Sequence, residues 1–290
     1  MSAIAINKLF SVEGAVVVVT GGGSGLGRMM ANALAENGAA KVYIIGRRKE
    51  KLEEVAKGCK GGVVVPLVGD VTSKDSIESI VEQVKADSGY VNVVVANSGH
   101  SGPTMHGLPQ NPSIANIRKH IMSQPMEDFT HTFAVNVTGM FYTCVAFLEL
   151  LDAGNKKGNM PPTVRSQVIA TGSIGGYNKN IGVGYPYNAS KTAVHHLIKM
   201  LSIYLGPHKI RANALAPGLF PSDISAPLLA GKDGTQEGAF PANFIPAEKT
   251  GDDQDMAGAI LYLTSRAGAY LNGNILVIDG GRMGVLNTSY

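Results

Sequence analysis

The sequence predicts a single-domain α/β fold, doubly wound around a parallel sheet of seven strands. Short apolar runs rich in β-branched residues recur along the chain with helical patterns between nearly all of them, the alternation expected of parallel strands joined by helical crossovers. The first run, Ala15-Val16-Val17-Val18-Val19, has no polar alternation, so it reads as a strand buried on both faces. A glycine-rich turn, Thr20-Gly21-Gly22-Gly23-Ser24-Gly25-Leu26-Gly27, follows it and leads into a helical stretch.

In chain order, strands are expected at residues 15–20, 41–45, 63–68, 92–96, 166–171, 210–215 and 274–278. The first helix, 28–37, is rich in good helix formers and stops at Gly38. Further helices are expected at 49–57, 74–86, 126–151, 187–205 and 252–265. This is a Rossmann-type architecture, whose ligand lies outside the C-terminal ends of the strands. The stretches 100–124, 152–162 and 220–250 break the rhythm and are the natural carriers of specificity. Phe220, Phe240, Phe244 and Ile245, interspersed with Pro221, Pro227, Pro241 and Pro246, mark a partly apolar lid over about 219–250, suited to a medium-sized, uncharged ligand.

With 290 residues, 44% hydrophobic and 16% charged, the chain can bury a full core and lies far from disordered composition. A formal charge of +3 is too mild to imply a nucleic-acid partner, and the one basic stretch, Arg47-Arg48-Lys49-Glu50-Lys51, is diluted by acid. Cys59 and Cys144 form neither a disulfide framework nor a zinc motif, which points to a reducing compartment. The N-terminus, Met1-Ser2-Ala3-Ile4-Ala5-Ile6-Asn7-Lys8, lacks the basic start and apolar core of a secretory signal, and the most apolar helical stretch, 139–151, is too short to span a bilayer. The expectation is a soluble cytoplasmic protein without a membrane partner.

Two features carry chemistry. Tyr187 and Lys191 stand four apart in Tyr187-Asn188-Ala189-Ser190-Lys191, a spacing that stacks phenol and ammonium on one helical face. The glycine turn lies between a strand and a helix N-terminus, where backbone N–H groups and the positive dipole end suit a pyrophosphate. Each feature alone has a bland reading, since glycines serve any tight turn and Tyr–Lys pairs are commonplace on helices. Together they point to a redox enzyme.

With these motifs in this order, the chain resembles a short-chain dehydrogenase/reductase, specifically 3-oxoacyl-carrier-protein reductase-like members, from Glu13 to Gly281. Thr20, Gly21, Gly25 and Gly27 fill the glycine pattern, with Ser24 and Leu26 in the same cradle. The resemblance implies that Asp70 and Val71 lie on the adenine side. It also implies that Asn97 and Gly99 form the turn after the fourth strand, where Ala96 and Ser98 depart from the family's Asn and Ala. Pro217, Gly218 and Leu219 would lie beside a nicotinamide, with Ser222 in place of a carboxamide-binding Thr. By the same resemblance Asn136 organises a proton relay, Ser173 is the active-site serine, and Lys191 grips the nicotinamide ribose.

Charge argues for NADP(H). The second strand ends Ile45-Gly46-Arg47-Arg48, with no carboxylate to bind ribose hydroxyls and two guanidiniums to fork a 2′-phosphate. Reduction of a carbonyl demands a proton as negative charge develops, and a free phenol, with a pKa near 10, gives one reluctantly. An adjacent Lys191 ammonium is expected to hold the Tyr187 pKa down. The sequence therefore points to an NADPH-dependent reductase of a ketone, of 3-oxoacyl or secondary-metabolite type, with Tyr187 as proton donor. A lyase, isomerase or cyclase on the same scaffold and a non-catalytic NADPH-binding protein remain open. A hydrolase does not, because Thr171 stands where a nucleophile elbow needs glycine.

His195 and His196 are expected at the surface or in an interface, and Met105, Met122, Met126 and Met140 in the core or lining a pocket. In the family, helices corresponding to 126–151 and 187–205 form the main dimer contact, implying a homotetramer or dimer. The tail 282–290 is expected to close a neighbouring subunit's pocket or to fray.

Overall fold

The structure, a computed structural model, describes residues 4–180 and 182–289. Met1, Ser2 and Ala3 of the N-terminal signal assessment and Tyr290 of the tail lie outside the described residues. Seven parallel strands form one sheet in the order β3-β2-β1-β4-β5-β6-β7. They are β1 (Val16–Thr20), β2 (Lys41–Gly46), β3 (Val64–Val68), β4 (Val93–Ala96), β5 (Gln167–Thr171), β6 (Arg211–Pro217) and β7 (Ile275–Ile278). The order reverses between β1 and β4, which places a ligand crevice outside the ends of these central strands.

The pleat explains the uninterrupted valines of β1. Val17 and Val19 enter one core with Leu34, Ile44 and Ile260, whereas Val16 and Val18 enter the other with Tyr43, Phe147 and Ile198. Each such fully buried side chain contributes about 1.5–3 kcal/mol. The first core is covered by α2 (Gly25–Glu36), α3 (Lys49–Gly58) and α11 (Asp253–Thr264). The second is covered by α4 (Lys74–Ser88), α7 (Met140–Ala146), α8 (Leu148–Lys157) and α9 (Tyr185–Tyr204). A four-residue helix, α1 (Ile6–Leu9), precedes the sheet.

The expected continuous helix over 126–151 is broken. It runs as α6 (Met126–Phe133), a π-helical turn (Ala134–Gly139) and α7, and then bends by 44° into α8. Phe147 at the bend leaves helical geometry, with φ −89° and ψ 3°. α8 runs on into the stretch 152–162, expected to be irregular, and is closed by the left-handed Gly158. The stretch 100–124 contains α5 (Ile114–Met122), whose start is capped by the Ser113 hydroxyl accepting the Asn116 N–H at 3.2 Å. A single turn, α10 (Ala226–Leu229), lies inside 220–250.

Rather than fraying, the described part of the tail is held against its own chain. It pairs with its own chain through an antiparallel bridge between Asn178 and Thr288, with Lys179 N–H donating to Asn287 O and Ser289 N–H to Tyr177 O, both at 2.8 Å. Among the described residues no single helix is long and apolar enough to cross a membrane.

Candidate active site

The glycine turn folds tightly onto the mouth of β1. Gly25 takes φ +49°, a region costly for residues with a Cβ. A side chain on Gly27 would overlap Gly21 O and come within 2.6 Å of Asn97 Nδ2, so the start of α2 can approach the strand end only because position 27 is bare. Ser24 is the N-cap of α2, but its side chain makes no capping hydrogen bond, and the first turn holds no acid. The unsatisfied N–H groups and the unopposed dipole end therefore fit a pyrophosphate.

Asn97 ties three strand ends together. Its Nδ2 donates to Thr20 O at 2.9 Å, its Oδ1 accepts from Thr171 Oγ1 at 3.0 Å, and its backbone N–H donates to Thr20 Oγ1 at 2.9 Å. The amide is thus occupied by protein groups. Asp70 accepts from Thr72 N–H at 2.9 Å and Thr72 Oγ1 at 2.7 Å. Burial pushes its pKa up, but these bonds and the nearby Arg47 outweigh burial and hold the carboxyl below the usual range. Val71 packs through its carbonyl against Gly139 of the π turn.

Arg48 has a partner that the sequence does not reveal. Its Nη2 donates to Asp223 Oδ2 at 2.8 Å and to Ser24 Oγ at 3.1 Å, bridging the glycine turn and the segment after β6. Ser222 lies against Gly25 and exchanges a 3.0 Å hydroxyl contact with Ser225. Pro217 ends β6, Gly218 N–H donates to Ile278 O at 2.8 Å, and Leu219 O accepts from Gly251 N–H at 3.0 Å. That last bond pins the two ends of the segment 219–250 together.

Ser173 follows β5 and caps a 3-10 turn (Ile174–Gly176), its Oγ accepting the Gly175 N–H at 2.9 Å. The Tyr187 hydroxyl lies near the Ser173 side chain, which favours the phenolate. Lys191 Nζ donates to Thr171 O at 2.7 Å and lies 5.7 Å from the Tyr187 ring centroid. Asn136 Nδ2 donates to His100 O and to Ser190 Oγ, both at 2.9 Å, and its Oδ1 accepts His100 N–H at 2.8 Å. Ser190 Oγ in turn donates to Tyr187 O at 2.8 Å. Ser190 belongs to the Tyr–Lys motif, but its link to Asn136 appears only in three dimensions. Gly99 lies against both Asn136 and Lys191. Ser173 and Tyr187 are partly exposed, while Lys191 and Asn136 are buried behind them.

The electrostatics differ from the sequence expectation at the phenol. Burial raises the Tyr187 pKa, and the Ser173 side chain offsets this only in part, so the phenol stays protonated at neutral pH. Burial also lowers Lys191, to about 8, so this ammonium loses its proton more readily than an exposed lysine. His100 meets His131 edge-on at 5.1 Å, and burial lowers its pKa. His196 is exposed as expected, but His195 is buried beneath the Ser173 turn rather than at the surface. Met105 and Met140 lie in the interior, whereas Met122 and Met126 are exposed at 69% and 81% and line no core. No metal-binding cluster occurs among the described residues.

The fold and the convergence of glycine turn, serine, tyrosine and lysine at the strand ends define a dinucleotide-fold oxidoreductase. The family model described as short chain dehydrogenase matches residues 15–233. The chain is 44% identical over 283 residues to the short-chain dehydrogenase/reductase PhomF of Diaporthe leptostromiformis, covering 97% of this chain and 96% of that protein. It is 46% identical over 273 residues to the short-chain dehydrogenase/reductase SAT3 of Stachybotrys chartarum, covering 90% and 100%. Among solved structures it is similar to the Pseudomonas aeruginosa RhlG/NADP active-site complex, with a TM-score of 0.77, 28% identity and coverage of 94% and 98%. The chain belongs to the short-chain dehydrogenase/reductase family, oxidoreductases acting on CH–OH and C=O groups.

Proposed function

We propose that this protein is an NADPH-dependent carbonyl reductase that converts a ketone of 3-oxoacyl or secondary-metabolite type into a secondary alcohol. The observation that carries this reading is the convergence of Ser173 and a protonated Tyr187 hydroxyl, with buried Lys191 5.7 Å from the phenol ring. The glycine turn, Ser24, Arg47 and Arg48 would hold the dinucleotide, with Asp70 and Val71 on the adenine side and Pro217 to Ser222 beside the nicotinamide. When bound, reduced nicotinamide supplies the hydride.

Ser173 orients the substrate oxygen by hydrogen bonding, and Tyr187 releases its proton to that oxygen as negative charge develops. The raised phenol pKa suits this task, because the donor must be fully protonated beforehand. Lys191, charged below about pH 8, stabilises the phenolate left behind. Asn136, buried beside it, holds the His100 backbone and forms the wall through which a proton path would reach Lys191.

Two arginines and no carboxylate at the end of β2 favour NADPH, as does similarity to a Pseudomonas structure that is an NADP complex. In the same reading residues 219–250 act as a substrate lid, and the protein works in the cytoplasm as a homo-oligomer. Tyr187→Phe keeps the ring and removes the donor. Turnover of a ketone that the parent reduces, followed by NADPH absorbance, is expected to fall by about 100-fold or more, while NADPH binding followed by its fluorescence persists. Retained turnover would exclude Tyr187 as the acid.

A further inference from the structure

We propose that His195 is a positioning residue, a neutral imidazole that forms the floor of the Ser173 turn and sets the aim of the serine hydroxyl. The inference rests on the reading of Ser173 and Tyr187 as the carbonyl-reducing pair. His195 lies one turn beyond Lys191, so Tyr187, Lys191 and His195 stack along one face of α9. Its side chain is buried, with 5% of the residue exposed. Nε2 accepts the Ser173 N–H at 3.4 Å.

The turn is shaped to receive this ring. In Thr171-Gly172-Ser173-Ile174-Gly175-Gly176, a side chain on Gly172 would overlap Nε2, and one on Gly176 would come within 2.6 Å of Cε1 and 2.8 Å of Nδ1. Two glycines flanking the serine thus leave the space that the imidazole fills. Tyr177 covers the ring at 4.6 Å between centroids. Ser173 is then held from two sides: its N–H by His195 below, and its Oγ by the Gly175 N–H at 2.9 Å. With one lone pair occupied, the serine hydroxyl keeps its proton available for Tyr187 or a substrate oxygen.

An accepting Nε2 requires the proton on Nδ1, which has no hydrogen-bond partner among the described residues. The groups facing the ring are Lys191 and Lys199 on its own helix and the tilted Tyr177 ring from the turn. Burial first, and then the two ammoniums, push its pKa down to about 4. The ring therefore stays neutral through the working range and is not a proton donor in the reaction. Protonation would remove the acceptor beneath Ser173.

The test compares His195→Leu, which keeps bulk without an acceptor, with His195→Gln, which returns one, using a ketone that the parent reduces. His195→Leu is expected to lower kcat about tenfold while the NADPH dissociation constant changes less than about twofold, and His195→Gln to recover most of the loss. Unchanged kcat in His195→Leu, or equal losses in both variants, would overturn the proposal. A second arm needs no substrate. Nitrogen-15 histidine spectra, assigned by the peak lost in His195→Gln, should show an Nδ1–H tautomer that does not titrate from about pH 5 to about pH 8. An Nε2–H tautomer, or titration near the ordinary value of about 6.5, would refute the placement. A parent protein inert toward every ketone overturns the reductase reading instead, and the spectra then decide the placement of His195.

Discussion

The Arg48 guanidinium reaches the Ser24 hydroxyl and the Asp223 carboxylate at once, from the position expected to meet a 2′-phosphate. Both charged side chains are more than half exposed, at 59% and 67%, so the pair stabilises the protein by only about 0–1 kcal/mol. A phosphate would compete with Asp223 for the same donors. Asp223→Asn is therefore expected to tighten NADPH severalfold and leave NADH nearly unchanged, whereas Arg48→Ala should weaken NADPH by about tenfold relative to NADH. Fluorescence titration of both dinucleotides checks this, and equal effects on the two would remove the basis for NADPH. The arginines and Ser24 were legible because their meaning depends on distance along the chain from a glycine turn. Asp223 was not, since it meets Arg48 from 175 positions away. His195 shows the same limit: helical spacing puts it on the face of Tyr187 and Lys191, but its burial depends on two glycines from another segment. The expected depression of the Tyr187 pKa failed for a related reason. Spacing identifies a neighbouring charge but not the desolvation that raises the phenol pKa here.

At the scale of elements, the seven strands and most helices were legible to within a few residues, because buried parallel strands and amphipathic helices carry their own periodicity. The break in 126–151 was not. Its apolar pattern continues through Ala134–Gly139, and the π turn is set by contacts of Asn136 with His100 and Ser190 and of Gly139 with Val71. The tail likewise lacks any sequence signal for its destination. It runs along the segment Tyr177–Lys179, next to the Ser173 turn, and walls a cleft of about 320 Å³ with Tyr185 and Thr192 of α9. Arg282 at its start stacks on Phe244 of the 219–250 segment, 3.8 Å from the ring centroid. Ending the chain at Leu286 removes the pairing with Tyr177 and Lys179. The truncated protein is expected to show a KM for substrate raised severalfold with NADPH affinity unchanged, measured by steady-state kinetics and fluorescence. An unaltered KM would leave the tail without a role at the site.

Across the whole molecule, several of the exposed apolar side chains lie on the helices expected to meet a second copy. Phe129 of α6 and Tyr142 and Val145 of α7 are 44%, 46% and 37% exposed, and Met200, Ile203 and Tyr204 of α9 are 54%, 79% and 77% exposed. Light scattering at micromolar concentration is expected to give a dimer or tetramer, and a monomer would refute that assembly. The exposure of Met122 and Met126, expected in the core or lining a pocket, adds to the same kind of surface near α6.

By itself the sequence determined the class of fold, the order of its elements and the residues to examine. Each of these follows from local pattern: the strand period, the helix period, a glycine turn between them, and a phenol four residues from an ammonium. Only the tertiary structure decided which groups meet across the chain, namely Asp223 on Arg48, Ser190 on Asn136, His195 under Ser173 and the tail along Tyr177. Only it decided the electrostatic balance as well, because the energy of a charge depends on how much water the surrounding elements exclude.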